Sequence, residues 1–186
     1  MRCLVLSLLA ALLAGCISAH EPDDVLPRPR LAAVGPVTPL AAPRLDDGRL
    51  LAADGTTLPL RRWLPQGEPR AVILALHGFN DYSNAFTGPA EALAKDGIAT
   101  YAYDQRGFGE APLRGRWPGQ RQLAEDLATA SRLLHAQHPG IPLYLMGESM
   151  GGAVALVLLG EWAQHKSQGV PLTGAVLIGP AVRSRD

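Results

Sequence analysis

Leu143-Tyr144-Leu145-Met146-Gly147-Glu148-Ser149-Met150-Gly151-Gly152 is the stretch on which the reading of this chain turns. A short apolar run ends in Gly-x-Ser-x-Gly, and a long apolar segment of helical character begins at once. Strand, tight glycine-flanked turn, helix is the order that a nucleophile elbow requires. Such a turn forces its serine into a strained backbone conformation. Gly147 and Gly151 are then needed because a Cβ at either place would collide with the neighbouring strand or helix. Ser149 is left with its hydroxyl projecting above a sheet. It stands at the N-terminus of a helix whose dipole favours developing negative charge.

Upstream, the chain alternates. Arg49 to Ala53 and Thr57 to Trp63 are short strand candidates joined by Ala53-Asp54-Gly55-Thr56, whose Asp-Gly pair favours a hairpin. Pro59 suits an edge strand better than a central one. Ala71 to Leu76 and Ile98 to Tyr103 are continuous apolar runs, the pattern of strands buried on both faces. Between them, Phe86 to Lys95 reads as a helix closed by Gly97. Gln120 to Gln137 carries Leu123, Leu127, Ala130 and Leu134 at helical spacing and stops at Pro139-Gly140. Downstream of the serine, a helix is expected from Met150 to about Lys166. It is apolar nearly all round, as if packed on the sheet and under further layers. Gly174 to Ile178 is one more strand.

This alternation predicts an α/β fold with a mostly parallel sheet and helices on both faces. Chemistry in such sheets gathers beyond the carboxyl ends of the strands. Three of those ends carry distinctive residues: His77-Gly78-Phe79, Asp104-Gln105-Arg106-Gly107-Phe108-Gly109, and Gly147 to Gly151. A length of 186 residues suits one domain, and 47% hydrophobic residues suffice for a buried core. Lys plus Arg balance Asp plus Glu at 17 each, so nothing in the charge points to nucleic acid. The cysteines are Cys3 and Cys16 alone, which excludes a disulfide framework. No metal motif, phosphate loop or cofactor fingerprint is present, so neither metal nor cofactor is expected.

The N-terminus reads as an export signal over residues 1–15. Arg2 supplies positive charge, and Leu4 to Leu13 is an apolar core too short to span a bilayer. Leu13-Ala14-Gly15-Cys16 resembles the lipobox of bacterial lipoproteins, which implies acylation of Cys16 and membrane attachment through the lipid. Ile17, where an aspartate would retain the protein at the inner membrane, resembles the pattern sent onward. The expected location is therefore the outer membrane, facing the periplasm. Residues 16–46 are rich in proline, which forbids helix and makes a semi-rigid tether. The folded domain is expected over residues 47–186.

Taken together, the three strand-end motifs resemble the α/β-hydrolase family, in the branch of monoacylglycerol lipases, lysophospholipases and S33-like serine aminopeptidases. Their order and approximate spacing match over roughly Gly48 to Val182. The resemblance implies that Ser149 is the nucleophile and that the backbone N–H groups of Phe79 and Met150 form an oxyanion hole. It implies an ester hydrolase working through an acyl-serine, on a lipid or small ester substrate. An S33-like aminopeptidase is the rival within enzymes. A non-catalytic or remnant lipoprotein on a hydrolase scaffold is the rival outside them.

In that family the base histidine follows the serine, so His77 is expected to shape the oxyanion loop rather than to act as base. Asp104 and Arg106 are expected to stabilise a turn, and His135 and His138 to be solvated. Dehalogenases and epoxide hydrolases of this fold place an aspartate where Ser149 stands. One departure matters. After Ser149 the only histidine is His165, ~24 Å away by helical rise, and the only aspartate is Asp186. The chain therefore reads as the N-terminal part of the fold, without lid, last strands, or triad acid and base. It is expected to be nearly inactive by itself, with its last strand an exposed apolar edge.

Overall fold

The computed structural model describes residues 42–164 and 169–182. The expected signal peptide, Cys16, most of the proline-rich tether, His165 and Asp186 lie outside the described residues. The described chain forms a single sheet of seven strands with helices on both faces. The strands are β1 (Arg44–Asp46), β2 (Arg49–Leu51), β3 (Thr57–Trp63), β4 (Ala71–Leu76), β5 (Ile98–Tyr103), β6 (Leu143–Glu148) and β7 (Gly174–Ile178). The helices are α1 (Thr87–Lys95), preceded by a 3-10 turn Ser83–Phe86, α2 (Gln120–Gln137) and α3 (Met150–Gln164).

The spatial order is β1-β2-β3-β5-β4-β6-β7. β5, β4, β6 and β7 run parallel, and β1 to β3 form an antiparallel flank that joins at β5. β4, β5 and β6 are each followed by a helix because parallel neighbours need a crossover. Side-chain alternation then sorts the core into two layers. Val72, Leu74 and Leu76 of β4 join the layer that holds Leu123, Leu127 and Leu134 of α2 and Val154, Ala155 and Leu158 of α3. Ile73 and Ala75 join Phe86 and Ala102 on the opposite face, beside Leu93 of α1.

Three elements differ from what the sequence predicts. The first concerns β1, which lies inside the stretch read as tether. Asp47-Gly48 forms a two-residue hairpin loop with Gly48 at φ +76°, and Leu45 pairs with Leu50. That Asp-Gly carries the same turn signal as Asp54-Gly55, but Pro43 immediately before the strand masked it.

The second concerns β3, which is internal although Pro59 suggested an edge. β3 pairs with β2 through Thr57 to Pro59 and with β5 only from Leu60 onward. The missing N–H at Pro59 therefore falls where the β5 ladder has not begun, and the Pro59 carbonyl accepts from Asp104 N–H at 2.9 Å.

The third concerns α3, which is covered on one side only. Val154, Ala155 and Leu158 are buried, whereas Leu156 is 37% exposed. Among the described residues α2 flanks it and no further layer covers its outer stripe.

Candidate active site

Ser149 occupies the single residue between β6 and α3, at φ +48°. A left-handed backbone costs a non-glycine residue roughly 1–3 kcal/mol and persists only where its surroundings over-determine it. Here they do. Ser149 N–H donates to the Ile178 carbonyl at 2.9 Å, and the Ser149 carbonyl accepts from Ala153 at 3.1 Å and Ala181 at 2.9 Å. The flanking glycines leave no alternative. A Cβ on Gly147 would sit 2.7 Å from the backbone of Gly151, and one on Gly151 would sit 2.3 Å from the Leu76 carbonyl oxygen. Neither contact can relax without moving backbone. The turn is thus clamped between helix and strand.

β4 and β6 pair in parallel with Leu76 opposite Gly147. The chain beyond β4 consequently runs beside the serine, and a Cβ on Gly78 would lie 3.5 Å from that of Ser149. Strand order reverses across β4, since β5 lies on one side of it and β6 on the other. A crevice at such a switch point is where open α/β sheets bind ligands. Phe79 follows Gly78, and Met150 opens α3. Among the described residues, neither of their backbone N–H groups has an acceptor. For Met150 the cause is general, because the first turn of a helix has no carbonyls behind it.

His77 is fully buried and locked at both ring nitrogens. Gln105 N–H donates to Nε2 at 2.9 Å, so the ring proton sits on Nδ1 and donates to the Gly78 carbonyl at 2.8 Å. The Gln105 amide donates in return to the His77 carbonyl at 2.8 Å. Burial holds His77 below its ordinary 6.5, against the upward pull of the Gly78 contact. A neutral imidazole with no free nitrogen cannot take a proton from Ser149. It ties the Gly78–Phe79 strand end to the loop after β5.

That loop has its own anchor. Asp104 accepts from Ser83 N–H at 2.9 Å, Ser83 Oγ at 2.6 Å and Glu110 N–H at 2.9 Å. Gly109, at φ +56°, is required because a Cβ there would fall 2.3 Å from the Asp104 carboxylate. Arg106 reaches the other way. It donates to both oxygens of Asp126 at 2.6 and 2.8 Å, to Asp54 at 2.8 Å and to Thr56 at 2.7 Å. The guanidinium draws Asp54 down from 3.8 to about 2, while burial pushes Asp126 up against the pull of Arg106. Asp104 and Arg106 thus bind the hairpin turn, the loop and α2 together, as turn-stabilising partners. Ser83 carries no signal in the sequence, since a lone serine does not mark an anchor. Gln105 lies within the Asp104 to Gly109 motif but has a role only because His77 is its neighbour in space.

His138 departs from the solvated role expected of it. Its Nε2 lies 2.9 Å from the Tyr101 hydroxyl, and burial lowers its pKa. His135 is half-buried with Nδ1 unpartnered among the described residues. Both lie at the C-terminal end of α2, which leads to the start of β6, whereas Ser149 follows its end. Six strand residues, ~20 Å, separate the two ends. Among the described residues, no cluster of three or more His, Cys, Asp or Glu side chains is placed to hold a metal ion.

The family model described as serine aminopeptidase, S33, matches residues 67–186, which include all three strand-end motifs. The chain belongs to this family. Within the S33 family of α/β-hydrolases, it is similar to human monoglyceride lipase, at 33% identity over 152 residues covering 78% of this chain and 46% of that protein. It is also similar to the monoacylglycerol lipase of Mycolicibacterium smegmatis, at 29% identity over 67% of this chain and 42% of the relative. A soluble variant of Saccharomyces cerevisiae monoglyceride lipase, solved with a substrate analogue, aligns at TM-score 0.54 and 25% identity, covering 77% of this chain and 45% of that one. A thermostable carboxyl esterase from Bacillus coagulans shares the fold at TM-score 0.58 and 23% identity, over 69% of this chain and 42% of the other. The S33 chain thus spans about half the length of the curated relatives it matches.

Proposed function

We propose that this S33-family chain carries the nucleophile and oxyanion hole of a serine ester hydrolase acting on monoacylglycerols or lysophospholipids. The observation that supports it most is Ser149 at φ +48°, between a buried strand and a helix N-terminus, with the Gly78 strand end passing so near that a Cβ there would meet that of Ser149 at 3.5 Å. The Ser149 hydroxyl attacks an ester carbonyl, and the N–H groups of Phe79 and Met150 receive the developing oxyanion. Each such donor contributes about 3 kcal/mol to the transition state. Loss of the alcohol leaves an acyl-Ser149, which water hydrolyses. The relatives named as lipases support an ester rather than a peptide substrate.

Attack needs a base. The described histidines are either locked, as His77 is, or at the other end of the sheet, so turnover by the chain as given is expected to fall short of a complete triad. Losing the base costs on the order of a millionfold in a serine hydrolase. Labelling by a fluorophosphonate tests the nucleophile directly: slow modification that disappears in Ser149→Ala is expected. Equal labelling of the variant would refute the assignment. Cleavage of an aminoacyl anilide in preference to a short acyl ester would favour the aminopeptidase reading, and Ser149 that resists labelling in every form would favour a non-catalytic scaffold.

The lipobox-like Leu13 to Cys16 supports attachment to the outer membrane, facing the periplasm. Palmitate incorporation that is lost in Cys16→Ser, with the parent recovered in the outer-membrane fraction, is the expected result. Incorporation that survives the substitution would remove the anchor from the proposal.

A further inference from the structure

The loop between β5 and α2 carries a surface that ester hydrolysis does not use. Pro112-Leu113-Arg114-Gly115-Arg116-Trp117 is exposed without interruption and contains no carboxylate. Leu113 is 60% exposed and Trp117 57%. The loop is nonetheless well held. Gly107 N–H donates to the Pro112 carbonyl at 3.1 Å, Gly115 N–H to Gly107 at 2.8 Å and Arg116 N–H to Leu113 at 2.9 Å. A Cβ on Gly107 would fall 2.2 Å from the Arg116 carbonyl oxygen, so the two arms of the loop are in direct contact.

Arg114, Arg116 and Trp117 share a cleft of ≈ 360 Å³ with Phe79 and Tyr82, which are themselves 62% and 39% exposed. Among the described residues, neither Arg114 nor Arg116 has a carboxylate partner. The bordering carboxylates are Glu110, at the start of the loop, and Asp81, which accepts from the Tyr82 N–H.

We propose that this loop docks on an anionic lipid surface. Trp117 and Leu113 enter the boundary between headgroups and acyl chains, and Arg114 and Arg116 meet the lipid phosphates. Indole at the interface and guanidinium at the phosphate level are what each group does best there. A soluble phosphate would satisfy the arginines and leave the apolar side chains in water. A second copy of the chain would have to bring carboxylates to the Pro112–Trp117 run, which has none of its own. Because the loop stands at the carboxyl end of the sheet, as Ser149 does, docking turns that end toward lipid. The inference depends neither on Ser149 being a nucleophile nor on acylation of Cys16.

The test is co-sedimentation of the full chain carrying Cys16→Ser with vesicles of phosphatidylcholine alone or of equimolar phosphatidylcholine and phosphatidylglycerol. The N-terminal apolar stretch is common to all variants, so its contribution cancels. Arg114→Gln with Arg116→Gln should weaken binding to the anionic vesicles by about thirtyfold, roughly fivefold for each arginine. The corresponding lysine pair should retain most of it, and Trp117→Ala should lower binding to both vesicle types. Brominated lipid should quench a component of the emission that Trp117→Phe lacks, and Ser149→Ala should bind as the parent does. Overlaid titrations for the parent and the glutamine pair would overturn the proposal. So would a Trp117 response to inorganic phosphate without lipid, or self-association that buries the loop. Circular dichroism of each variant identifies any that fails to fold.

Discussion

A Cβ on Gly151 would lie 2.3 Å from the carbonyl oxygen of Leu76, so the first turn of α3 and the end of β4 are as close as two backbones can be. The serine turn is built on that contact. Gly151→Ala must push helix and strand apart beside Ser149, where the chain leaving β4 passes the serine turn. Overpacking of this kind costs about 1–3 kcal/mol, and more where backbone is the obstacle. Gly160 lies in the same helix with no atom within 4 Å of its Cβ position. Gly160→Ala should therefore stabilise by about 0.5–1 kcal/mol. Thermal melts of the pair should move in opposite directions, and fluorophosphonate labelling should drop only in the Gly151 variant.

Arg106 and Asp126 have side chains only 8% and 2% exposed. Asp126→Ala leaves a guanidinium buried with less than its due of acceptors, and a loss of about 3–5 kcal/mol is expected. The Arg121–Glu125 pair on the same helix is 86% and 53% exposed. Arg121→Ala should change stability by less than about 1 kcal/mol. Urea denaturation of both variants checks the contrast, and comparable losses would contradict it.

Asp54 gives this network a pH signature. Its carboxyl falls from 3.8 to about 2 beside Arg106. As pH drops, the unfolded chain takes up this proton before the folded one does. The contribution is therefore complete above the ordinary value and is lost as pH falls through about 2. The stability gap between the parent and Asp54→Asn should be constant at neutral pH and shrink through the carboxylate range. A gap that widens on acidification would reverse the assignment.

His77 acts with the opposite charge but in the same direction. Burial lowers its pKa, so the folded state prefers the neutral ring and the unfolded chain protonates first as pH falls below 6.5. Stability should decline on acidification from neutral pH. His77→Gln, which cannot titrate, should flatten that slope without abolishing it, since burial also lowers His138. Differential scanning fluorimetry across this range reads the difference. Identical slopes would show that His77 is not the titrating group.

Among the described residues β7 is the last strand of the sheet, and Val176 and Ile178 are 48% and 49% exposed. An unpaired apolar edge is a template for pairing with another chain. Val176→Lys should suppress light scattering on heating with little change in the midpoint of unfolding. Unchanged scattering would place the sticky surface elsewhere.

Local pattern alone carried much of this protein. Three apolar runs, each followed by a distinctive strand-end sequence, set three of the four parallel strands, and the leucine spacing of α2 set its buried stripe. Gly-x-Ser-x-Gly set the strained turn, because steric exclusion at a tight turn acts between residues close in sequence. The neutral state of His77 was decided otherwise. Its partner Gln105 is 28 residues away and reaches it only because β4 and β5 are neighbours. The same holds for Arg106, whose three partners come from the hairpin turn and α2, and for Pro59, harmless because pairing changes strands beside it. Even the approach of Gly78 to Ser149 required the register of β4 against β6. Hydrogen bonds and charges are satisfied by whatever the fold brings within about 3 Å, and that is a property of the assembled sheet, not of any one stretch of chain.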